Sequence, residues 1–368
     1  MAQTPLQQLQ AHGQSVWIDY LSRHFVEAGE LAGLVREGVT GVTSNPTIFQ
    51  GAIAEGDAYD EQLRDVLRSE SAPKEVFLAL ARNDIRRACE LLHDAWARGG
   101  ADRDGWVSLE VDPSLAYDTD ATTLEALRLH RMIERPNLLV KIPATEAGLP
   151  AIEETIARGV PVNVTLIFSL ERHRKVAEAY VAGLRRLVEG GGDPVGVASV
   201  ASFFVSRVDT EADKRLDQIG GHDELKGTLA IANAKLAYRT YAEVFSGPDW
   251  EELAARGATP QRCLWASTST KNPAYRDVIY VEELIGAHTV NTMPRETVEA
   301  FLDHGRVEET LARDVDGAQR TLEAFAQAGI DYDDVVATLE REGVEKFAKS
   351  FEDLLGGIAT KRDSMVTA

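Results

Sequence analysis

Runs of β-branched and apolar residues recur along this chain, and stretches with helical spacing separate them, as a parallel sheet with crossover helices requires. Eight such runs can be read, over residues 15–20, 39–45, 106–111, 138–145, 160–168, 196–205, 262–268 and 287–292. Between them lie a helical pattern around Leu31, Leu34 and Val35, a long mostly helical interval over 47–99 that includes 78–97, and helices over 120–134, 151–157, 170–189, 211–219 and 228–245. The chain after the eighth run is expected to be helical, including 306–328 and a final helix around 344–355. Ser169 stands where it can cap the helix at 170–189, with Glu171 in that helix's positive first turn. Open doubly wound sheets usually have fewer strands and a nucleotide loop. The α/β architecture expected is therefore a closed (β/α)8 TIM barrel with additional helices after strands two and six and at the C-terminus.

The glycine-rich segment 190–196 precedes a strand and lacks the spacing of a phosphate loop, so it reads as a turn. Neither a repeat nor a low-complexity linker divides the chain, and residues 1–368 are expected to form a single domain. With 44% hydrophobic residues there is ample material for a large core.

No stretch approaches a membrane span, and the N-terminus lacks the basic and apolar parts of a signal peptide, so a cytoplasmic protein without a membrane partner is expected. Cys89 and Cys263 are far apart and read as reduced and structural. The eight histidines show no metal-ligand spacing, and catalysis without a metal is the working expectation. A net charge of −20 argues against a nucleic-acid partner or an anionic membrane. A phosphorylated ligand would need a local basic pocket. Self-assembly into a homo-oligomer stays open.

Lys141 lies inside the fourth run, Leu-Leu-Val-Lys-Ile-Pro-Ala-Thr. An ammonium in a strand interior is costly to bury, and the amine escapes by losing its proton, which makes it a nucleophile for carbonyl carbon. Two structural alternatives stand beside this: a lysine that snorkels from the strand end, and one that pairs with a neighbouring carboxylate. Polar residues in or just after other strands include Asp19, Asn45, Glu110, Asn163, Thr165, Ser202, Arg207, Ser267 and Lys271. In a barrel of this kind, chemistry gathers at the C-terminal ends of the strands. Each alone reads as an ordinary polar strand end, but so many on separate strands point to a shared site.

The motifs carry a resemblance. Gly41-Val42-Thr43-Ser44-Asn45-Pro46-Thr47 resembles the first transaldolase signature, and Leu139-Val140-Lys141-Ile142-Pro143-Ala144-Thr145 resembles the segment with that family's Schiff-base lysine. Segments 163–169, 202–209 and 265–273 are similar to the family's later strands, the last to that of the longer bacterial members. The resemblance implies a class I aldolase-type barrel that needs no cofactor and transfers a dihydroxyacetone unit from a phosphorylated ketose to a phosphorylated aldose. It implies Lys141 as the Schiff-base amine and Glu110 and Thr165 as the pair that positions a water. Asp19 is implied as the carboxylate that exchanges the C4 hydroxyl proton. Asn45 and Asn163, and with them Ser202, are implied to hold the three-carbon unit.

Arg207 matches the family's phosphate-binding arginine. Where the shorter members carry a second arginine, two residues after Ser267, this chain has Ser269, and the nearest cation is Lys271. Glu110 and Phe204 stand where the related fructose 6-phosphate aldolases resemble one another in glutamine and tyrosine, which favours a transferase. A lyase of that second kind and a non-catalytic sugar-phosphate binding barrel remain as alternatives. If Lys141 is buried uncharged, its removal is expected to strip no residue of an ion-pair partner.

Overall fold

The computed structural model describes residues 3–54, 57–100 and 102–366. The strands are β1 (Gln14–Ile18), β2 (Val39–Val42), β3 (Val107–Glu110), β4 (Leu138–Pro143), β5 (Val162–Ile167), β6 (Ser199–Phe204), β7 (Arg262–Ala266) and β8 (Thr289–Met293). Each pairs in parallel with the next, and β1 pairs with β8, so the eight close into a barrel in chain order. Every strand position is buried, as expected when side chains fill the inside and helices cover the outside.

Most sequence-based strand limits run past the observed C-terminal ends, by up to three residues at β2. The reason is physical. Residues such as Asp19, Thr43, Asn45 and Ser267 follow apolar runs but leave the ladder there, and composition does not register where backbone pairing stops. Ser267, with φ 56°, turns the chain after β7. That turn is held by its carbonyl, which accepts from the Ser206 N–H at 2.9 Å, and by a hydroxyl contact with Ser206 at 2.9 Å.

Two helical expectations are corrected. The helix expected over 306–328 begins only at Val315: residues 306–314 lie outside it, in the connection between the helices Arg295–His304 and Val315–Gln327. The backbone between them bonds elsewhere: Thr310 N donates to Ile285 O at 3.0 Å and Arg306 N to Glu282 Oε1 at 2.8 Å. The final helix is far longer than 344–355, running unbroken over Tyr332–Val366. Its apolar side, with Leu339, Phe347, Phe351, Leu354 and Ile358, is buried, so packing extends it beyond its strongest periodic segment. The interval 47–99 resolves into Pro46–Ala54, Asp60–Val66 and Pro73–Ala97, while positions 55 and 56 within it lie outside the described residues, as do 1, 2, 101, 367 and 368. Among the described residues no helix is long and apolar enough to cross a membrane.

One continuous set of buried hydrophobic side chains extends from Leu6 to Ile358. Inside the barrel, Trp17 and Gly41 are register partners on β1 and β2, where the β1 register shifts. A Cβ on Gly41 would stand 2.5 Å from the Trp17 indole, which is fully buried and tied through Nε1 to Asp104 at 2.7 Å. Glycine is needed here for space. Gly41→Ala is expected to destabilise the protein by about 1–3 kcal/mol through overpacking. Urea unfolding measures this, and an unchanged midpoint would mean that the indole can shift.

Candidate active site

β4 carries Lys141 between two register partners, Glu110 on β3 and Asn163 on β5. The strand turns Lys141 into the barrel, where the residue is only 4% exposed. Its Nζ lies 3.2 Å from Glu110 Oε2 and donates to Ser44 O at 3.3 Å. The contact with Glu110 is an ion pair between two buried side chains. Phe347 of the C-terminal helix sets its ring 5.5 Å from the same nitrogen.

This corrects the expectation of an amine that leaves no partner behind. Neighbouring parallel strands bring Glu110 and Lys141 side by side, and the buried amine is paired. Burial pushes the Glu110 carboxyl up; Lys141 opposes that shift and Asp19 adds to it. The net upward direction suits a carboxyl that both takes and returns a proton.

Asp19 follows β1 directly, where its N–H donates to Met293 O at 2.8 Å as the barrel closes. Thr43 Oγ1 donates to Asp19 Oδ1 at 2.7 Å and also meets Thr292 Oγ1 of β8 at 2.8 Å, so the hydroxyl just past β2 orients the carboxylate and is itself held from β8. Thr165 is fully buried, and its Oγ1 has no partner among the described residues. A buried hydroxyl left unsatisfied is costly unless a ligand or water completes it.

Asp19, Lys141 and Thr165 line one cleft of about 280 Å³. Asn45, Ser202, Phe204, Arg207, Ser267 and Lys271 line it too. Asn45 Oδ1 accepts from Ile48 N at 3.0 Å, holding the start of the helix Pro46–Ala54, and its Nδ2 has no partner among the described residues. Asn163 sits in the wall rather than the lining: its Nδ2 donates to Ser108 Oγ at 2.9 Å, and its Oδ1 accepts from Ser202 Oγ at 2.7 Å. Glu110 likewise lies behind Lys141, against a small cavity beside Phe77 and Phe351.

Arg207 opens the helix Ser206–Ile219 just past β6, its guanidinium 5.0 Å from the Phe204 ring and 6.0 Å from Phe347. Asp209 on that helix accepts from Ala230 N at 2.7 Å and from the Tyr280 hydroxyl at 2.7 Å. These bonds anchor the base of Arg207, and burial pushes the Asp209 carboxyl up to about 7. Lys271, in the loop after β7, donates to Ser269 Oγ at 2.5 Å.

Three contributors were not singled out from the sequence. Ser44 stands in the sequence only as one member of the motif over 41–47, and it acts through its carbonyl, which composition does not reveal. Phe347 and Lys346 come from the C-terminal helix, far along the chain, and no local pattern distinguishes them from an apolar core position and a solvated lysine. Among the described residues no group of three or more His, Cys, Asp or Glu side chains converges to hold a metal ion.

A family model described as transaldolase/fructose-6-phosphate aldolase matches residues 16–358. The chain is 52% identical over 360 residues to a transaldolase of Frankia alni, with 96% of each chain covered. It is 52% identical over 358 residues to a transaldolase of Acidothermus cellulolyticus, again with 96% of each covered. A transaldolase of Thermobifida fusca is 51% identical over 361 residues, 97% of this chain and 98% of its own.

The buried pair makes a prediction about stability. Lys141→Met leaves Glu110 without its cation, so the folded-state carboxyl rises further above its unfolded value near 4.3. A raised folded value means stability that is present at low pH and lost as pH rises through it. The deficit of the variant relative to the parent is therefore expected to be small near pH ~5 and to grow to about 3–5 kcal/mol by pH ~8, the cost of an unpaired buried charge. Adding Glu110→Gln should remove that pH dependence. Urea unfolding at both pH values is the check, and a deficit independent of pH would contradict it.

Proposed function

The chain belongs to the transaldolase/fructose-6-phosphate aldolase family, and on that premise we propose a transaldolase mechanism carried by its own cleft residues. The enzyme moves a dihydroxyacetone unit from sedoheptulose 7-phosphate or fructose 6-phosphate to glyceraldehyde 3-phosphate or erythrose 4-phosphate. This is the chemistry of the non-oxidative pentose phosphate pathway. The observation that carries the proposal is the Lys141 amine, buried 3.2 Å from Glu110 in a cleft shared with Asp19 and Thr165.

The Lys141 nitrogen, having passed a proton towards Glu110, attacks the C2 carbonyl of the ketose. Loss of water from the carbinolamine yields a protonated imine, with Glu110 and the unpartnered Thr165 hydroxyl handling a water between them. Asp19 takes the C4 hydroxyl proton, the C3–C4 bond breaks, and its electron pair flows into the iminium as an enamine. The aldose phosphate leaves. The acceptor aldehyde is then attacked by the enamine carbon, the new alkoxide recovers a proton from Asp19, and hydrolysis of the imine frees Lys141. Thr43 keeps Asp19 aimed throughout.

Asn45 and Ser202 line the cleft where the three-carbon unit would be held, and Asn163 orients Ser202 from behind. Arg207 supplies a guanidinium fork for phosphate, with Ser267 and Lys271 beside it and Phe204 walling it on one side. Phe347, roofing the amine, limits the access of water that would protonate the enamine. That supports transfer over release of free dihydroxyacetone.

The proposal extends to a cytoplasmic protein of one domain. Its free thiols, Cys89 and Cys263, are buried and suit a reducing compartment, and a single hydrophobic cluster spans the barrel and the C-terminal helix.

Borohydride added with fructose 6-phosphate should trap a covalent adduct on Lys141, and Lys141→Ala should lose both the adduct and turnover, the latter by roughly a thousandfold or more. Absence of an adduct in active protein would refute the mechanism. With fructose 6-phosphate alone, product should stop near one equivalent per site and resume when erythrose 4-phosphate is added. Steady release without an acceptor would indicate a lyase.

A further inference from the structure

We propose that Lys346, on the C-terminal helix, completes the phosphate cradle with Arg207 and Lys271, so that an element outside the barrel selects phosphorylated sugars. The inference rests on the transaldolase reading and adds to it a binding residue.

Three cations from three separate elements line the same cleft: Arg207 from the helix after β6, Lys271 from the loop after β7, and Lys346 from the helix Tyr332–Val366. Among the described residues, none of the three has a carboxylate ion-pair partner. That is notable in a chain of net charge −20, where carboxylates outnumber cations. The carboxylates in the cleft are Asp19, engaged by Thr43, and Glu296 at the start of the helix Arg295–His304.

The cations repel one another. Arg207, then burial, then Lys271 hold the Lys346 ammonium below its usual range. Asp19 offsets part of this at Arg207, but gathering like charges with no carboxylate in ion-pair contact costs free energy, and a dianionic phosphate placed among them reverses the sign of that interaction.

Lys346 is not on a loose tail. Phe347, its neighbour, is 5% exposed and faces both the Lys141 amine and the Arg207 guanidinium. One turn on, Ser350 Oγ accepts from Thr47 Oγ1 at 2.9 Å, and Phe351 meets Phe77 edge to face at 5.7 Å. The helix is therefore docked across the mouth at the point where Lys346 projects into the cleft. An ammonium serves as a point charge, which complements the fork of Arg207.

The test compares Lys346→Met and Lys346→Arg with the parent, using fructose 6-phosphate and unphosphorylated fructose as donors and erythrose 4-phosphate as acceptor. For Lys346→Met, KM for fructose 6-phosphate should rise about tenfold, and kcat/KM should fall at least about five times further with fructose 6-phosphate than with fructose. The inhibition constant of inorganic phosphate should rise in parallel, and arginine should recover most of the loss. Equal loss with both donors, or a phosphate inhibition constant within about twofold of the parent, would overturn the proposal. Borohydride trapping in the parent reports separately on the Schiff-base reading, and phosphate binding measured by calorimetry does not depend on turnover. A failure of either idea is thus distinguishable from a failure of the other.

Discussion

A lysine amine and a carboxyl, both withdrawn from water and set 3.2 Å apart on adjacent strands, form the contact around which this molecule is arranged. Such a pair gains from Coulomb attraction in a medium of low dielectric and loses the hydration of both ions, so it persists only where the frame is rigid. The closed barrel supplies that rigidity: β3 and β4 hold Glu110 and Lys141 as direct register partners, with no free edge along which either strand could slip. The Ser44 carbonyl accepts a hydrogen bond from the amine and thereby ties the chain just past β2 to the same point.

The pair also needs a roof. Without the C-terminal helix the amine would face the barrel mouth, and Phe347 covers it at 5.5 Å. One helix thus has two effects: its buried aromatic lowers the dielectric around the Schiff-base position, and the adjacent Lys346 raises the positive potential near the phosphate end. On the proposed mechanism these suit different parts of one substrate: the carbonyl end would benefit from a dry environment for proton transfers among Lys141, Glu110 and Asp19, and the phosphate end would be held by charge.

The barrel was legible because parallel strands buried on both faces leave long apolar runs, and these stand out against helical spacing. Lys141 stood out because a cation interrupts such a run, while the run alone left open a snorkelling or an ion-paired lysine, and the structure shows the ion pair with Glu110. The ends of the strands were not, since Asp19, Thr43 and Asn45 leave the ladder while still following apolar residues. Nor was the break after His304, where the backbone prefers partners at Glu282 and Ile285 to its own helix. Lys346 had no visible signature at all: on a helical pattern it is one more solvated lysine.

What the amino-acid order determined by itself was therefore local and periodic: the succession of strands and helices, the lysine in the fourth strand, and the polar residues at strand ends that resemble a known set. Tertiary structure alone decided which of these meet. Register across β3 and β4 paired Glu110 with Lys141, ring closure between β1 and β8 brought Asp19 and Thr292 to a common hydroxyl network, and docking of a distant helix placed Phe347 and Lys346 over the mouth. Contacts between residues far apart in sequence depend on how whole elements pack, and no window of sequence contains that information.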